Sequence, residues 1–333
     1  MDNLGYVNVF GLALALSLML VPVAKTIALR FGIMDKPDMK LKKHKTPVPY
    51  LGGAAVFLAF FAALFIERML DAGTLKGLTG LILGSSMMFL LGLADDIKKL
   101  SVPFKFSVQV LAALTLVIFG IKIEFLGNSA LNVLFTILWM VGVTNAFNLM
   151  DIMDGLAGGV ALAACMMFFV LGSEGGKLFS PFASLALAGS ILGFLFYNKP
   201  PAKIFMGDAG SLFIGFMLAA LSVTESYSYT NSYAVFAPVV ILGLPVFDTL
   251  FVMWMRWKLG KPVYYGSPDH FPLRLRRHGL SVKQVLLIAY SMAIVLASIG
   301  YLLTKVAPFQ SLLIYGFLAG TALFFAKKLS KIG

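Results

Sequence analysis

The sequence predicts an all-α, polytopic integral membrane protein of about eleven transmembrane helices, and three observations carry that prediction. Of the 333 residues, 59% are hydrophobic and only 13% are charged, a balance too apolar for a soluble domain. The apolar residues come in runs close to the length of about 20 that crosses a bilayer as a helix. The basic residues gather in alternate connections between those runs, the distribution that sets orientation in a membrane.

In order, the runs fall near 5–28, 51–67, 77–94, 106–121, 129–147, 155–172, 180–197, 210–225, 232–255, 284–304 and 309–326. Spans and short connections use nearly the whole chain, so one transmembrane domain over 1–333 is expected. The first run is longer than a signal-peptide core and no small-residue cleavage site follows it, so it is expected to stay. With eleven spans the termini lie on opposite sides. One side takes all but five of the 27 Lys and Arg; the five are Arg68, Lys76, Lys122, Lys177 and Lys305. The expectation is an N-terminus outside, a C-terminus in the cytoplasm, and a multi-pass protein of the plasma (inner) membrane. The net charge of +12 is then topology signal plus attraction to anionic lipid. No basic soluble module exists to bind nucleic acid. The single cysteine, Cys165, sits inside a span, which excludes disulfides within the chain and a multi-cysteine metal site.

The polar groups at the span ends carry the chemistry. The first basic loop holds Lys36, Lys40, Lys42, Lys43, His44 and Lys45, then Pro47, Pro49, Gly52 and Gly53. Prolines and glycines there fix the chain as it re-enters the membrane, which a generic basic loop would not need; a topology and lipid-surface signal and a phosphate cradle both remain open for the loop. The third span ends at Asp95 and Asp96, with Lys98 and Lys99 after them and Lys105 at the start of the fourth. Adjacent carboxylates repel and cannot both face lipid.

At the junction of the fifth and sixth spans, Asn145, Asn148, Asp151 and Asp154 recur every third residue, with no Lys or Arg among them. On a helix the first three share an arc of about 120°. Asp154 would drift to the far side unless the helix tightens or breaks near Ile152 to Gly155, where glycine allows it. Acids without counter-charge suit a divalent cation with oxygen ligands.

Asp208 lies between Gly207 and Gly210 at the mouth of the eighth span, with Ser211 beyond. A capped helix start and a ligand-facing acid both remain open there. Asp248 lies inside the ninth span, and Pro245 one turn earlier should kink it. The last large loop carries Tyr264, Tyr265, Asp269, His270, Arg274, Arg276 and Arg277. Arginines suit bidentate phosphate recognition and aromatics can stack on a base; an amphipathic surface helix is the other reading. Asp95, Asp96, Asp151, Asp154, Asp208 and Asp248 all map to the cytoplasmic side. That argues against the alternative of a transporter or flippase, whose site lies near mid-membrane, and for chemistry on a phosphorylated substrate with a lipid-borne partner.

Leu93 to Asp96, Asn145 to Gly159 and Phe205 to Leu212, in that order between spans, resemble the motifs of the polyprenyl-phosphate N-acetylhexosamine-1-phosphate transferases; His44 to Gly53 looks like that family's first cytoplasmic loop. The resemblance covers nearly the whole chain. It implies transfer of a sugar-1-phosphate, GlcNAc-1-phosphate above all, from a UDP-N-acetylhexosamine to a membrane polyprenyl (undecaprenyl) phosphate, with UMP leaving and Mg²⁺ or Mn²⁺ required. It implies catalytic roles for Asp95, Asp96, Asp151 and Asp154 and metal ligation by Asp208 with Asp154. Substrate binding would fall to Asn148, Lys98, Lys105, His44, Asp248, His270, Arg274, Arg276 and Arg277. Asp248 after Pro245 looks like the hexosamine branch rather than the phospho-MurNAc-pentapeptide branch. Two departures stand out: His270 alone remains of a His-rich motif, and Ile152 replaces a usual glycine. A homodimer is left open as a partner state.

Overall fold

The computed structural model describes residues 3–35, 47–68, 75–225, 227–228, 231–263 and 267–332. Its contacts fall into two compact units, Met1–Glu225 and Ser226–Gly333.

The first unit contains helix α1 (Asn3–Phe31), a two-residue ribbon β1 (Met34–Asp35) and β2 (Val48–Pro49), then α2 (Gly52–Arg68), α3 (Leu75–Ile97), α4 (Val102–Ile118), α5 (Ser129–Met150), α6 (Leu156–Glu174), α7 (Ser180–Asn198) and α8 (Gly207–Thr224). The ribbon is antiparallel, with Met34 opposite Pro49 and Asp35 opposite Val48. Helices are the expected answer for such a sequence, because in lipid every backbone polar group must be satisfied within its own segment.

α8 is the centre of this unit. It packs against α2, α3, α5 and α6, and every residue from Ala209 to Ser222 is buried. Between apolar helices in lipid, close packing replaces the hydrophobic effect as the driving force, so small residues matter. α8 supplies Gly207, Ala209, Gly210, Ser211, Gly215, Ala219 and Ala220. Phe213 of α8 meets Phe57, Phe60 and Phe61 of α2 at ring-centroid distances of 5.2, 5.5 and 6.2 Å. α1 packs on α7 despite Pro22 in its interior. Pro22 has no N–H to donate to the Leu18 carbonyl one turn back; the Tyr197 hydroxyl donates to that carbonyl instead, at 3.0 Å.

The second unit begins with a 3₁₀ turn (Ser232–Phe236), then α9 (Ala237–Ile241), α10 (Gly243–Lys258), the short α11 (Phe271–Arg277), α12 (Val282–Leu303) and α13 (Pro308–Ser330). Asn231 caps the 3₁₀ turn by accepting the Ala234 N–H, and its amide donates to the Leu303 and Val306 carbonyls. The expected ninth span is therefore broken. Ser232–Ile241 and Gly243–Lys258 meet at 73°. The bend sits at Leu242, before Pro245 rather than at it. Proline at the third position of α10 needs no N–H, and its ring forbids the Ile241 carbonyl from continuing the preceding turn.

Among the described residues, eight helices are long and apolar enough to cross a membrane, or nine if the bent pair is one span. Gly52–Glu67 and Val102–Ile118 are shorter apolar helices. The count of eleven from the sequence includes both of them.

Candidate active site

α5 stops at Met150 and α6 starts at Leu156. Asp151 is the C-cap, with φ −78° and ψ 56°, and Gly155 takes φ 78° as the residue before α6. That left-handed conformation is the one glycine adopts without cost. The break takes Asp154 off the ideal helical path. Asn198 holds the break in place, accepting the Gly155 N–H at 2.8 Å and donating to the Ile204 carbonyl at 2.9 Å. Asp154 accepts the Ala202 N–H at 2.9 Å. Residues 151–155 are thereby bound to residues 198–204, the segment that leads into Asp208.

The two adjacent acids of α3 have different tasks. The first amides of a helix lack partners inside it. Asp96 accepts two of them from α8, the Asp208 N–H at 2.9 Å and the Ala209 N–H at 3.1 Å. This is a helix cap supplied by another helix, and a carboxylate is favoured there by the helix dipole. Both oxygens of Asp96 are thus engaged in placing Asp208. Gly92, one turn earlier, permits the approach, since a Cβ on it would lie 2.3 Å from the Asp208 carbonyl oxygen. Asp95 instead accepts the Leu100 N–H at 2.7 Å and pairs with Lys105 at 2.8 Å.

Asp208 is held from two sides. Lys105 Nζ lies 3.8 Å from its Oδ2, and Asn148 Nδ2 donates to its Oδ1 at 3.0 Å and to Ser211 Oγ at 2.9 Å. Its side chain is 34% exposed, against 9% for Asp95, so Asp208 is the more open of these two acids. Burial, then the neighbouring Asp208 and Asp154 charges, push Asp151 up to about 7. The described residues place one cation, Lys105, in ion-pair contact with this cluster. Carboxylate oxygens with so little counter-charge are donors for a hard divalent cation.

The structure thus brings together Asp95, Asp96, Lys105, Asn148, Asp151 and Asp208, with Asp154 joined to them through the 198–204 segment. Lys98 is exposed and makes no ion pair among the described residues. His44 and the lysines around it lie outside those residues.

The remaining expected residues belong to the second unit. Asp248, buried, accepts from the Phe271 N–H at 2.8 Å and lies 2.6 Å from His270 Nδ1. Arg274 is buried. Its guanidinium binds Asp269 and the Leu329 and Ile332 carbonyls and lies over the Phe251 ring. Burial opposes ionisation of Asp269, yet Ser267, Arg274 and Arg277 outweigh it and hold this carboxyl below the usual aspartate value. Arg277 reaches Asp269 at 3.9 Å and the Pro268 carbonyl at 2.8 Å. Arg276 is exposed and bonds to the Leu280 carbonyl.

Sequence reasoning left Asn198 without a role and overlooked Gln109. A lone amide inside the apolar run near 106–121 is itself a signal, because polar groups are costly at that depth.

Residues 78–226, the stretch that holds Asp95 through Asp208, match the family described as glycosyl transferase family 4. The chain is 34% identical over 314 residues to a probable undecaprenyl-phosphate N-acetylglucosaminyl 1-phosphate transferase of Bacillus subtilis, covering 92% of this chain and 87% of that one. It is 34% identical over 301 residues to a decaprenyl-phosphate N-acetylglucosaminephosphotransferase of Mycobacterium tuberculosis, covering 80% and 74%. A phospho-N-acetylmuramoyl-pentapeptide-transferase of Prochlorococcus marinus is 30% identical over 341 residues, covering 91% of each.

Proposed function

The chain belongs to the polyprenyl-phosphate N-acetylhexosamine-1-phosphate transferases, and on that premise we propose that it transfers N-acetylglucosamine-1-phosphate from UDP-N-acetylglucosamine to a polyprenyl phosphate. UMP leaves and a polyprenyl-diphosphate sugar is formed. The observation that carries this reading is the arrangement around Asp208: an open acid, capped from behind by Asp96 and flanked by Lys105 and Asn148.

Two phosphorylated substrates repel, so the site must supply alignment and positive charge. Lys105 would donate to a phosphate oxygen in exchange for its contact with Asp208. Asp95 keeps the Lys105 ammonium in position. An oxygen of the lipid phosphate attacks the β-phosphorus of the UDP-sugar, and the bond from that phosphorus to the UMP oxygen breaks. The lipid phosphate is already an anionic nucleophile, so direct attack needs no enzyme-bound intermediate. Asp208 with Asp154, and Asp151 beside them, would hold Mg²⁺ or Mn²⁺. The donor set fits such an ion. No group of three or more His, Cys, Asp or Glu side chains among the described residues is arranged to hold a metal ion, and Mg²⁺ ordinarily takes one or two carboxylates and completes its shell with phosphate and water. Bound there, the ion would neutralise the diphosphate and the departing UMP.

The topology that suits this reaction has eleven crossings, counting the bent pair as one span and both shorter apolar helices as spans. The N-terminus lies outside, and the site faces the cytoplasm, where UDP-sugars are found.

A panel of UDP-sugars tests the donor. Purified protein with undecaprenyl phosphate and Mg²⁺ should release UMP from UDP-N-acetylglucosamine and lose that activity on chelation. Release from no UDP-sugar in the panel would remove the transferase reading and favour a flippase.

A further inference from the structure

Asn145 opens the polar run of α5, yet it does not reach Asp208. Its amide faces α4 and forms a reciprocal pair with Gln109: Asn145 Nδ2 donates to Gln109 Oε1 at 2.5 Å, and Gln109 Nε2 donates to Asn145 Oδ1 at 3.3 Å. Asn145 Nδ2 also donates to the Val141 carbonyl of its own helix. Gln109 is 2% exposed. A buried amide and a half-buried one in an apolar helix pair are costly unless each meets the other, and such pairs in membranes contribute only modestly to stability. Modest glue of this kind does not require this location.

The location is what matters. Gln109 is four residues after Lys105 on α4, and Asn145 is three residues before Asn148 on α5, so each amide lies one turn along the same face from a side chain that holds Asp208. Lys105 reaches Asp208 from α4 and Asn148 reaches it from α5. A rotation of α4 about its own axis would carry Lys105 away from Asp95 and Asp208 together. The amide pair opposes that rotation, because its two hydrogen bonds hold one orientation of α4 against α5.

We propose that Gln109 and Asn145 are positioning residues for phosphosugar transfer, fixing Lys105 and Asn148 on either side of Asp208 without touching substrate. The inference rests on the transferase reading above. The test uses the full-length enzyme in detergent, assayed for UMP release with UDP-N-acetylglucosamine, undecaprenyl phosphate and Mg²⁺. Replacing both partners by apolar groups is close to neutral for folding. The double variant Gln109→Leu/Asn145→Leu should therefore keep its thermal midpoint within about 2 °C while kcat falls about 10²-fold, the cost of a misplacement near 1 Å. Its KM for the UDP-sugar should stay within about threefold of wild type, as expected when no substrate contact is lost. The exchanged pair, Gln109→Asn with Asn145→Gln, should regain most of the lost kcat. A double Leu variant with wild-type kcat overturns the proposal. So does a loss that merely tracks less folded protein, or an exchanged pair that folds and recovers nothing. Wild-type protein that releases no UMP refutes the transferase reading instead, which separates the two failures.

Discussion

Asp208→Asn is expected to cut UMP release by about 10³-fold or more, the scale of removing a central charge from a phosphoryl-transfer site. The substitution keeps the size of the side chain and an oxygen for the Asn148 amide, which now donates at 3.0 Å. It removes the negative charge that faces Lys105. Insertion and folding should be unaffected, since the N-terminus of α8 is held by Asp96 through backbone amides. Mn²⁺ binding to the protein without substrates, followed by spin resonance, should weaken in the same variant. Full Mg²⁺-dependent turnover together with unchanged Mn²⁺ binding would show that Asp208 is not the ligand.

Asp96 gives the second large effect, with a different signature. As a cap it needs only acceptor oxygens; as a proton-transfer group it would need a titrating carboxyl. Asp96→Ala removes both acceptors and leaves the Asp208 and Ala209 amides without partners, and activity should fall about 10²–10³-fold as Asp208 moves. Asp96→Asn retains one acceptor oxygen and should lose only about tenfold. Equal losses in the two variants would place the Asp96 carboxyl in the chemical step itself.

The parts of this site that are local in sequence were legible there. With three-residue spacing from Asn145, Asp154 leaves the shared face unless the helix tightens or breaks near Ile152 to Gly155, and α5 ends at Met150 with Gly155 at φ 78°. The apolar runs locate the helices to within a few residues. What sequence spacing does not carry is the partner of a side chain far along the chain. Asp95 and Asp96 are indistinguishable as neighbours; the α8 amides that separate them lie 112 and 113 residues away. Arg274 reads as a phosphate ligand by residue type; the Leu329 and Ile332 carbonyls that engage it lie 55 and 58 residues on. Gln109 was readable as a polar residue in an apolar run, though its role depends on Asn145, 36 residues later. The kink assigned to Pro245 falls at Leu242, because proline disrupts the turn before it rather than the turn it begins.

The central claim is that a phosphosugar, not a sugar alone and not an intact lipid-linked sugar, is what moves. UDP-N-acetylglucosamine labelled in its β-phosphate decides this directly. With purified enzyme, undecaprenyl phosphate and Mg²⁺, the label should enter the organic-extractable lipid in equal amount to the UMP released. Label remaining wholly in water-soluble nucleotide, or sugar reaching the lipid without the β-phosphate, would contradict the account.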